Sequence, residues 1–531
     1  MDERTTGIYI HIPFCVKKCN YCAFLSAPAD EETREKYVQA LIKEIEIIGE
    51  DVGIGKIGNG KGEFEEGETE ECKVNFTSKK AINTIYFGGG TPSLLTPEQI
   101  GRIIAAIRSN FTIAPDAEIT LEANPGTLQG GRSFADNLSE EEKLADENAK
   151  FADVKFTLHS YRAVGINRLS MGVQSLNDDV LKYIGRIHTA EDVRRDYRAA
   201  RASGYDNINL DLILSLPFNT NQTGALRAPH NSKTSQEQSL EDLREILAMH
   251  PEHISCYSLQ IEEGTVFGKL YDQGLLNEIS DEEDRDTYHK ICKALRDAGY
   301  EHYEISNWAY IGKDAGASGS AGLSRSQAEF SSGSAGLSRS PYRSRHNSSY
   351  WNMSDYIGLG LGASGFVGSV RYRNTGDLNK YIDTLTANQN VCTNNPGAGI
   401  TNSFSGNSYK AVSAIREEVH HNTIHDNISE AVFTGLRRRE GIRYADAVQY
   451  LASNADASHA SDSTNQRSSL HASDSTAGAE LAFARFWQYY ADVRDEAESF
   501  VHSGHLIIDD EGMRLTEAGI DISNAIMALF V

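Results

Sequence analysis

The chain has 531 residues, a formal net charge of −24 and 40% hydrophobic residues. That length supplies two to four domains with a large core, and the acidity argues against a general affinity for nucleic acid. No apolar stretch reaches a membrane-spanning length, the start MDERTTGIYIHIPF lacks the pattern of an export signal, and seven cysteines, sparse and odd in number, fit a reducing cytoplasm better than a disulfide framework.

The first predicted strand, Gly7 to Ile12, runs into HIPFCVKKCNYCAF, where Cys15, Cys19 and Cys22 have C-x3-C-x2-C spacing. Three thiolates on one short loop can hold three irons of a four-iron cluster and leave the fourth iron open to a small molecule. Zinc is the alternative, although structural zinc takes four closed ligands and usually comes in C-x2-C pairs. His11 could supply a fourth ligand, yet it lies four residues before Cys15 within the strand run. Cys72, Cys256, Cys292 and Cys392 are scattered and read as small buried apolar residues or free thiols.

Helix Glu31 to Ile48 and strand Asn83 to Phe87 follow. Then come helix Pro97 to Ser109 and the strands Glu118 to Ala123 and Arg168 to Met171. Helix Ala190 to Ser203, strand Asn207 to Leu214, helix Leu240 to His250 and strand His253 to Leu259 continue the series. Helix Asp281 to Ala298 and strand His302 to Ser306 close it. This alternation predicts parallel strands with right-handed crossovers: an α/β fold, a closed or partial (β/α) barrel of TIM type, with its chemistry at the strand ends. Asp51–Glu71, Gln129–Lys150, Asn219–Ser239, Lys313–Ser340 and Ala457–Ala477 read as insertions. Two of them repeat a short polar string, SGSAGLSRS and HASDST, which cannot bury a face.

After about Arg345 the rhythm is lost. Glu430 to Arg438, Tyr444 to Ala452 and Phe483 to His502 read as helices, and the C-terminus as strand, turn, strand and helix, the pattern of a small winged-helix-like α+β module. The expected division is a barrel at 1–310, a low-complexity insertion at 311–345 and a C-terminal domain at 346–531, interrupted at about 453–478.

Polar residues gather at the predicted strand ends. Gly88, Gly89 and Gly90 precede Thr91 and Pro92 and let backbone amides approach a ligand. Glu122 ends the third strand, Gln174 and Arg186 follow the fourth, and Asp211 interrupts the apolar fifth. Singly, a helix cap, a surface hydrogen bond or a surface ion pair explains each of the first three, while an acid inside an apolar run wants a partner. Together they suit a zwitterionic, ribose-containing ligand.

YIHIPFCVKKCNYCAF, GGGTPSLL, LEANPGT, INRLSMGVQSLNDDVLKYIGRIHT and NLDLILSLP, in this order, resemble the radical S-adenosylmethionine superfamily, and within it the coproporphyrinogen-dehydrogenase-like (anaerobic coproporphyrinogen III oxidase-like) branch. The likeness continues through YEISNWA, SRHNSSYWN, YIGLGLGASGF and EAVFTGLRRREGI. The resemblance implies a 4Fe-4S cluster on Cys15, Cys19 and Cys22, with S-adenosylmethionine chelating the open iron. It implies Gly89, Gly90 and Thr91 at the methionyl amine and Arg186 at the carboxylate. Tyr9, Glu122, Gln174 and Asp211 would surround the ribose and methionyl parts. Reductive cleavage to methionine and a 5′-deoxyadenosyl radical is the chemistry it implies.

The branch holds two kinds of protein: the oxygen-independent coproporphyrinogen III dehydrogenase, which decarboxylates propionates in haem synthesis, and the haem chaperones, which bind haem and pass it on. Phe24 stands where the dehydrogenase motif carries a further cysteine, and only six residues precede Gly7 where the dehydrogenase has a long segment. HNSSYW, with His346, Asn347, Tyr350 and Trp351, matches the HNxxYW motif of the chaperones. An imidazole can ligate haem iron and aromatic rings can pack on a porphyrin, while a hydrogen-bonded core turn is the plain alternative. The resemblance is thus to the haem-chaperone side. It implies a cytoplasmic haem-transfer protein with haem, an unidentified acceptor and an electron donor as partners, without nucleic acid or an integral membrane segment, as monomer or dimer. The decarboxylating enzyme is the rival expectation.

Overall fold

The structure, a computed structural model, describes residues 6–54, 81–128, 140–218, 233–311, 339–387, 407–452 and 475–531. Cys72, Cys392, half of Gln129–Lys150 and most of each other expected insertion, including most of both repeated strings, lie outside the described residues.

Six strands form the centre: β1 (Thr6–Ile12), β2 (Ile82–Gly89), β3 (Ile113–Ala123), β4 (Arg168–Gln174), β5 (Ile208–Leu214) and β6 (His253–Ser258). They pair in chain order and are all parallel. Strands covered on both faces read as apolar runs. Ile8, Ile10 and Ile12 of β1 and Leu210, Leu212 and Leu214 of β5 are accordingly buried. Helices α1 (Glu31–Ile54), α2 (Pro97–Asn110), α3 (Glu140–Val164), α4 (Asp178–Tyr183), α5 (Ala190–Ala202), α6 (Ser235–Met249), α7 (Val266–Asp272) and α8 (Asp281–Asp297) connect and cover them. Thr96, Thr189 and Thr234 start α2, α5 and α6 with reciprocal capping boxes, so side chains written into the sequence fix where these crossovers begin.

Three expectations need correction. Glu140–Lys150, read as the end of an insertion, is the first part of α3, the crossover helix between β3 and β4, whose later residues Val154, Leu158 and Tyr161 are buried. The last strand of the series does not continue the parallel set. It is β7 (Tyr300–Glu304), which forms an antiparallel hairpin with β8 (Asn307–Tyr310), and β8 pairs antiparallel with β6. The expected helix Phe483 to His502 is two helices, Ser475–Tyr489 and Arg494–His502. At the break, buried Tyr490 donates its hydroxyl to the Phe530 carbonyl at 3.0 Å.

The sheet also runs across the division expected near residue 346. β9 (Tyr356–Leu359) pairs parallel with the free edge of β1, and β10 (Ser364–Val367), β11 (Val370–Asn374) and β12 (Arg416–His421) extend it as an antiparallel meander. Glu44 of α1 fastens this extension. Its buried carboxyl accepts from Tyr381 Oη at 2.6 Å, Asn374 Nδ2 at 2.7 Å and the Gly360 amide at 2.8 Å. The C-terminal part is helix-rich, with a three-stranded antiparallel sheet of Ile442–Arg443, Gly512–Leu515 and Leu506–Ile508. Among the described residues no helix is long and apolar enough to cross a membrane.

Candidate functional site

The C-terminal ends of the parallel strands open into one cavity of about 1200 Å³. Cys15, Cys19, Cys22, Gly89, Gly90, Thr91, Glu122, Gln174, Arg186 and Asp211 all line it. Residues spread over 197 positions of sequence thus converge because each lies on, ends or follows a parallel strand.

The cysteine loop is pinned at both ends. The Ala27 amide donates to Pro13 O at 3.0 Å and the Cys15 amide to Ala27 O at 3.2 Å, closing the loop at its base. At its far side Asn20 donates its amide to Ile184 O at 2.9 Å and its side chain to Tyr183 O at 2.8 Å, and its carbonyl accepts from the Phe267 amide at 2.9 Å. A separate apolar cluster of Val180, Leu181, Tyr183, Ile184 and Phe267 supports this anchor, with Tyr21 packed against it.

A ring of polar contacts joins the loops. Cys15 Sγ lies 3.4 Å from Thr91 Oγ1, which accepts from Asn124 Nδ2 at 2.8 Å. Asn124 Oδ1 accepts from Arg186 Nη2 at 2.5 Å, and Arg186 Nη1 faces Cys19 Sγ at 3.7 Å. Arg186 also donates to the Gly172 carbonyl at 2.5 Å. Gly90 is required by close approach: a Cβ there would stand 2.6 Å from the Phe14 carbonyl oxygen. Asn124 was missed in the sequence, although it lies two residues after Glu122 in LEANP.

Glu122 and Asp211 give the cavity two acidic groups. Burial pushes the Glu122 carboxyl up to about 7; the charge of Asp211 adds to this and the 2.7 Å hydrogen bond from Tyr86 opposes it. Burial also raises Asp211, whose oxygens accept from Asn209 at 2.7 Å and Ser170 at 3.4 Å. A cationic or hydroxyl-bearing ligand relieves both. Gln174 takes a left-handed φ of 68°, rare for a side-chain-bearing residue, at an irregularity of the β4–β5 ladder, and Tyr257 donates to its Oε1 at 3.0 Å.

Not every expected site residue reaches the cavity. Tyr9 lies outside its wall; its hydroxyl donates to His11 Nδ1 at 3.0 Å. His11 gives its Nε2 proton to Leu25 O at 2.9 Å, so both its nitrogens are engaged and it offers no fourth ligand. Among the described residues no three His, Cys, Asp or Glu side chains converge on a single ion. A four-iron cluster asks instead for one thiolate per iron.

The HNSSYW segment forms the helix Arg345–Trp351 at the opposite, N-terminal end of the strands. Its first amides, of Arg345 and His346, donate to Glu118 of β3 at 3.2 and 3.1 Å. His346 is 1% exposed, with its nitrogens 2.8 Å from Thr84 Oγ1 and 2.8 Å from Tyr350 Oη. Burial, with a lesser push from Arg168, lowers its pKa to about 3, so the ring is neutral. The Asn347 amide donates to Ser344 Oγ at 3.2 Å, and Trp351 is half-buried under Arg437. As described, then, the motif forms a buried floor helix in which His346 and Tyr350 hydrogen-bond through their side chains, and His346 can ligate an iron only by giving up one of its two hydroxyl partners.

Residues 9–225 match the radical SAM superfamily. The heme chaperone HemW of Escherichia coli (strain K12) is 32% identical over 366 residues, 68% of this chain and 70% of that protein. The chain belongs to the HemW family of radical SAM proteins. Its likeness to the HemW of Lactococcus lactis subsp. lactis (strain IL1403) is 28% over 442 residues, 83% of this chain and 84% of that protein. In fold, this HemW-family chain resembles the coproporphyrinogen III oxidase HemN of Escherichia coli, with a TM-score of 0.62 at 19% identity, covering 99% of this chain and 90% of that one. Membership implies a 4Fe-4S cluster and S-adenosylmethionine. The donor set fits both: three thiols on one pinned loop, beside a guanidinium and two carboxyls in the same cavity.

Proposed function

We propose that this protein is a cytoplasmic haem chaperone: it binds haem and hands it to haem-requiring proteins, and it carries a 4Fe-4S cluster with S-adenosylmethionine. The observation that carries the reading is the polar ring from Cys15 through Thr91, Asn124 and Arg186 to Cys19. It ties the proposed cluster loop to the groups suited to a zwitterion.

In this reading Cys15, Cys19 and Cys22 hold the cluster, which supplies an iron with an open position and an electron. Arg186 pairs with the ligand's carboxylate, and Gly89, Gly90 and Thr91 receive its ammonium. Glu122 and Asp211 balance its positive charge and accept from its hydroxyls, and Gln174 completes the wall. Haem contact falls to His346, Asn347, Tyr350 and Trp351, and requires the floor helix to release His346 from Thr84 or Tyr350.

Two features favour a carrier over a decarboxylating enzyme. Phe24, 68% exposed, lines the cavity where the dehydrogenase motif has its extra cysteine. Around α8 the lining carries Glu262, Glu278, Asp281, Glu282, Asp284 and Asp521 against Arg285 and Arg437, with Lys17, Lys18 and Arg186 elsewhere in the wall, an acidic excess that disfavours a substrate with a propionate on every ring more than haem, which carries two.

The test is anaerobic reconstitution followed by parallel incubation with haem plus an apo-haemoprotein, and with coproporphyrinogen III. Haem appearing on the acceptor is the expected result. Turnover to protoporphyrinogen IX would replace this reading with the enzyme.

A further inference from the structure

The floor helix Arg345–Trp351 contributes no residue to the cavity wall, yet two contacts join it to residues that do. The His346 ring stacks on Tyr86 with centroids 4.9 Å apart and planes 18° from parallel. Tyr86 donates its hydroxyl to Glu122 Oε1 at 2.7 Å, and Glu122 lines the cavity. At the helix's other end the Arg437 guanidinium lies 4.5 Å over the Trp351 ring, and Arg437 also lines the cavity.

The stack is held from both sides. Thr84 on β2 and Tyr350 on the helix each take one nitrogen of His346, so its ring cannot turn without breaking a buried hydrogen bond. Tyr86 is in turn confined between His346 and Tyr9, whose ring lies 6.3 Å away on a nearly parallel plane. A close-packed interior has no slack into which Tyr86 could move while His346 stays in place. With Tyr86 fixed, one oxygen of Glu122 is held, and the Gly89 amide gives the carboxyl its second donor.

We propose that His346 and Tyr86 are positioning residues for the cofactor cavity: the floor motif aims the Glu122 carboxylate at the cationic ligand. The inference rests on reading the cavity as the S-adenosylmethionine pocket. Coupling of this kind is reciprocal. A ligand that draws His346 out of its stack lowers the cavity's affinity, and occupation of the cavity resists that withdrawal by the same factor.

The experiment is equilibrium dialysis of S-adenosylmethionine against the full-length, anaerobically reconstituted protein. Wild type, Tyr86→Phe, His346→Ala and His346→Phe are compared, with iron content and thermal melts recorded for each. Tyr86→Phe keeps the ring and loses the donor, so Kd rises about tenfold at unchanged iron content. His346→Ala empties the space beneath Tyr86 and weakens binding to a similar degree. His346→Phe restores the ring without the hydrogen bonds, so it melts lower than wild type while its Kd returns to within about threefold. A purely structural role for His346 predicts no such separation. Binding within about twofold of wild type in Tyr86→Phe overturns the inference, with His346→Ala folded or not. Equal weakening in both His346 variants overturns the role of the stack. A wild type that holds iron but not S-adenosylmethionine overturns the pocket reading, and this inference with it.

Discussion

Arg186 Nη1 faces Cys19 Sγ at 3.7 Å, so the loop after the first strand and the segment after the fourth share one wall of the cavity. Arg186 also spans Asn124 and the Gly172 carbonyl through its other terminal nitrogen. Only a planar fork does both at once. Arg186→Lys is expected to weaken S-adenosylmethionine binding at least tenfold, and Arg186→Ala further, with bound iron retained. Equal affinity in Arg186→Lys and wild type, measured by dialysis, would remove the guanidinium from the site.

Replacing any one of Cys15, Cys19 and Cys22 by Ala should abolish stable iron loading after anaerobic reconstitution, read as iron per chain and visible absorbance. The melting curve of the iron-free protein should barely move, because all three are partly exposed. Cys256 and Cys292 are buried, and burial raises both thiols, so Cys256→Ala and Cys292→Ala should load iron like the wild type. Iron retained by a triple Cys15/Cys19/Cys22 variant would sink the assignment.

Glu122 links stability to pH. Its folded-state pKa, about 7, lies above the ordinary 4.5. A carboxyl raised on folding contributes fully below the lower value, and that contribution is lost as pH rises through the higher one. The folded iron-free protein should therefore lose stability between roughly pH 4.5 and 7 through this group, and nothing further above that. The full shift corresponds to at most about 3 kcal/mol, and the contact of Glu122 with the cavity reduces it. Glu122→Gln should raise the melting temperature relative to wild type at pH 8 and much less at pH 5. The same difference at both pH values would contradict the raised pKa.

Glu44 makes a stability prediction far from the site. Glu44→Ala leaves the Tyr381 hydroxyl, the Asn374 amide and the Gly360 amide without their buried acceptor. Roughly 3 kcal/mol or more of destabilisation follows, read as a lower urea midpoint. A midpoint unchanged within error would show that the joint between α1 and the sheet extension is not held by this carboxyl.

The parallel strands and the cavity residues were legible in the sequence because both rest on local signals: apolar runs, capping threonines, and polar residues just after each run. Cys15, Gly90 and Glu122 sit at such ends, Asp211 stands out as an acid inside the fifth run, and Arg186 follows the fourth strand after a short helix. What escaped depends on partners far along the chain. β9 is four residues long and acquires meaning only beside β1. α3 hid because its acidic start resembles a solvated loop, and among its residues of described burial the first buried one is Val154. His346 carried a metal-ligand signal in its motif, but its two hydroxyl partners come from Thr84 and Tyr350, and only the fold joins the first of these to it.

β1 has neighbours on both sides, and the second is β9, with Gly7 opposite Tyr356 and Tyr9 opposite Gly358. During synthesis the strand that leads into the cysteine loop therefore waits, one edge unsatisfied, until most of the polypeptide has left the ribosome. On the proposed assignment, cluster loading is expected to follow translation, and a nascent chain halted before β9 should take up less iron than the full chain.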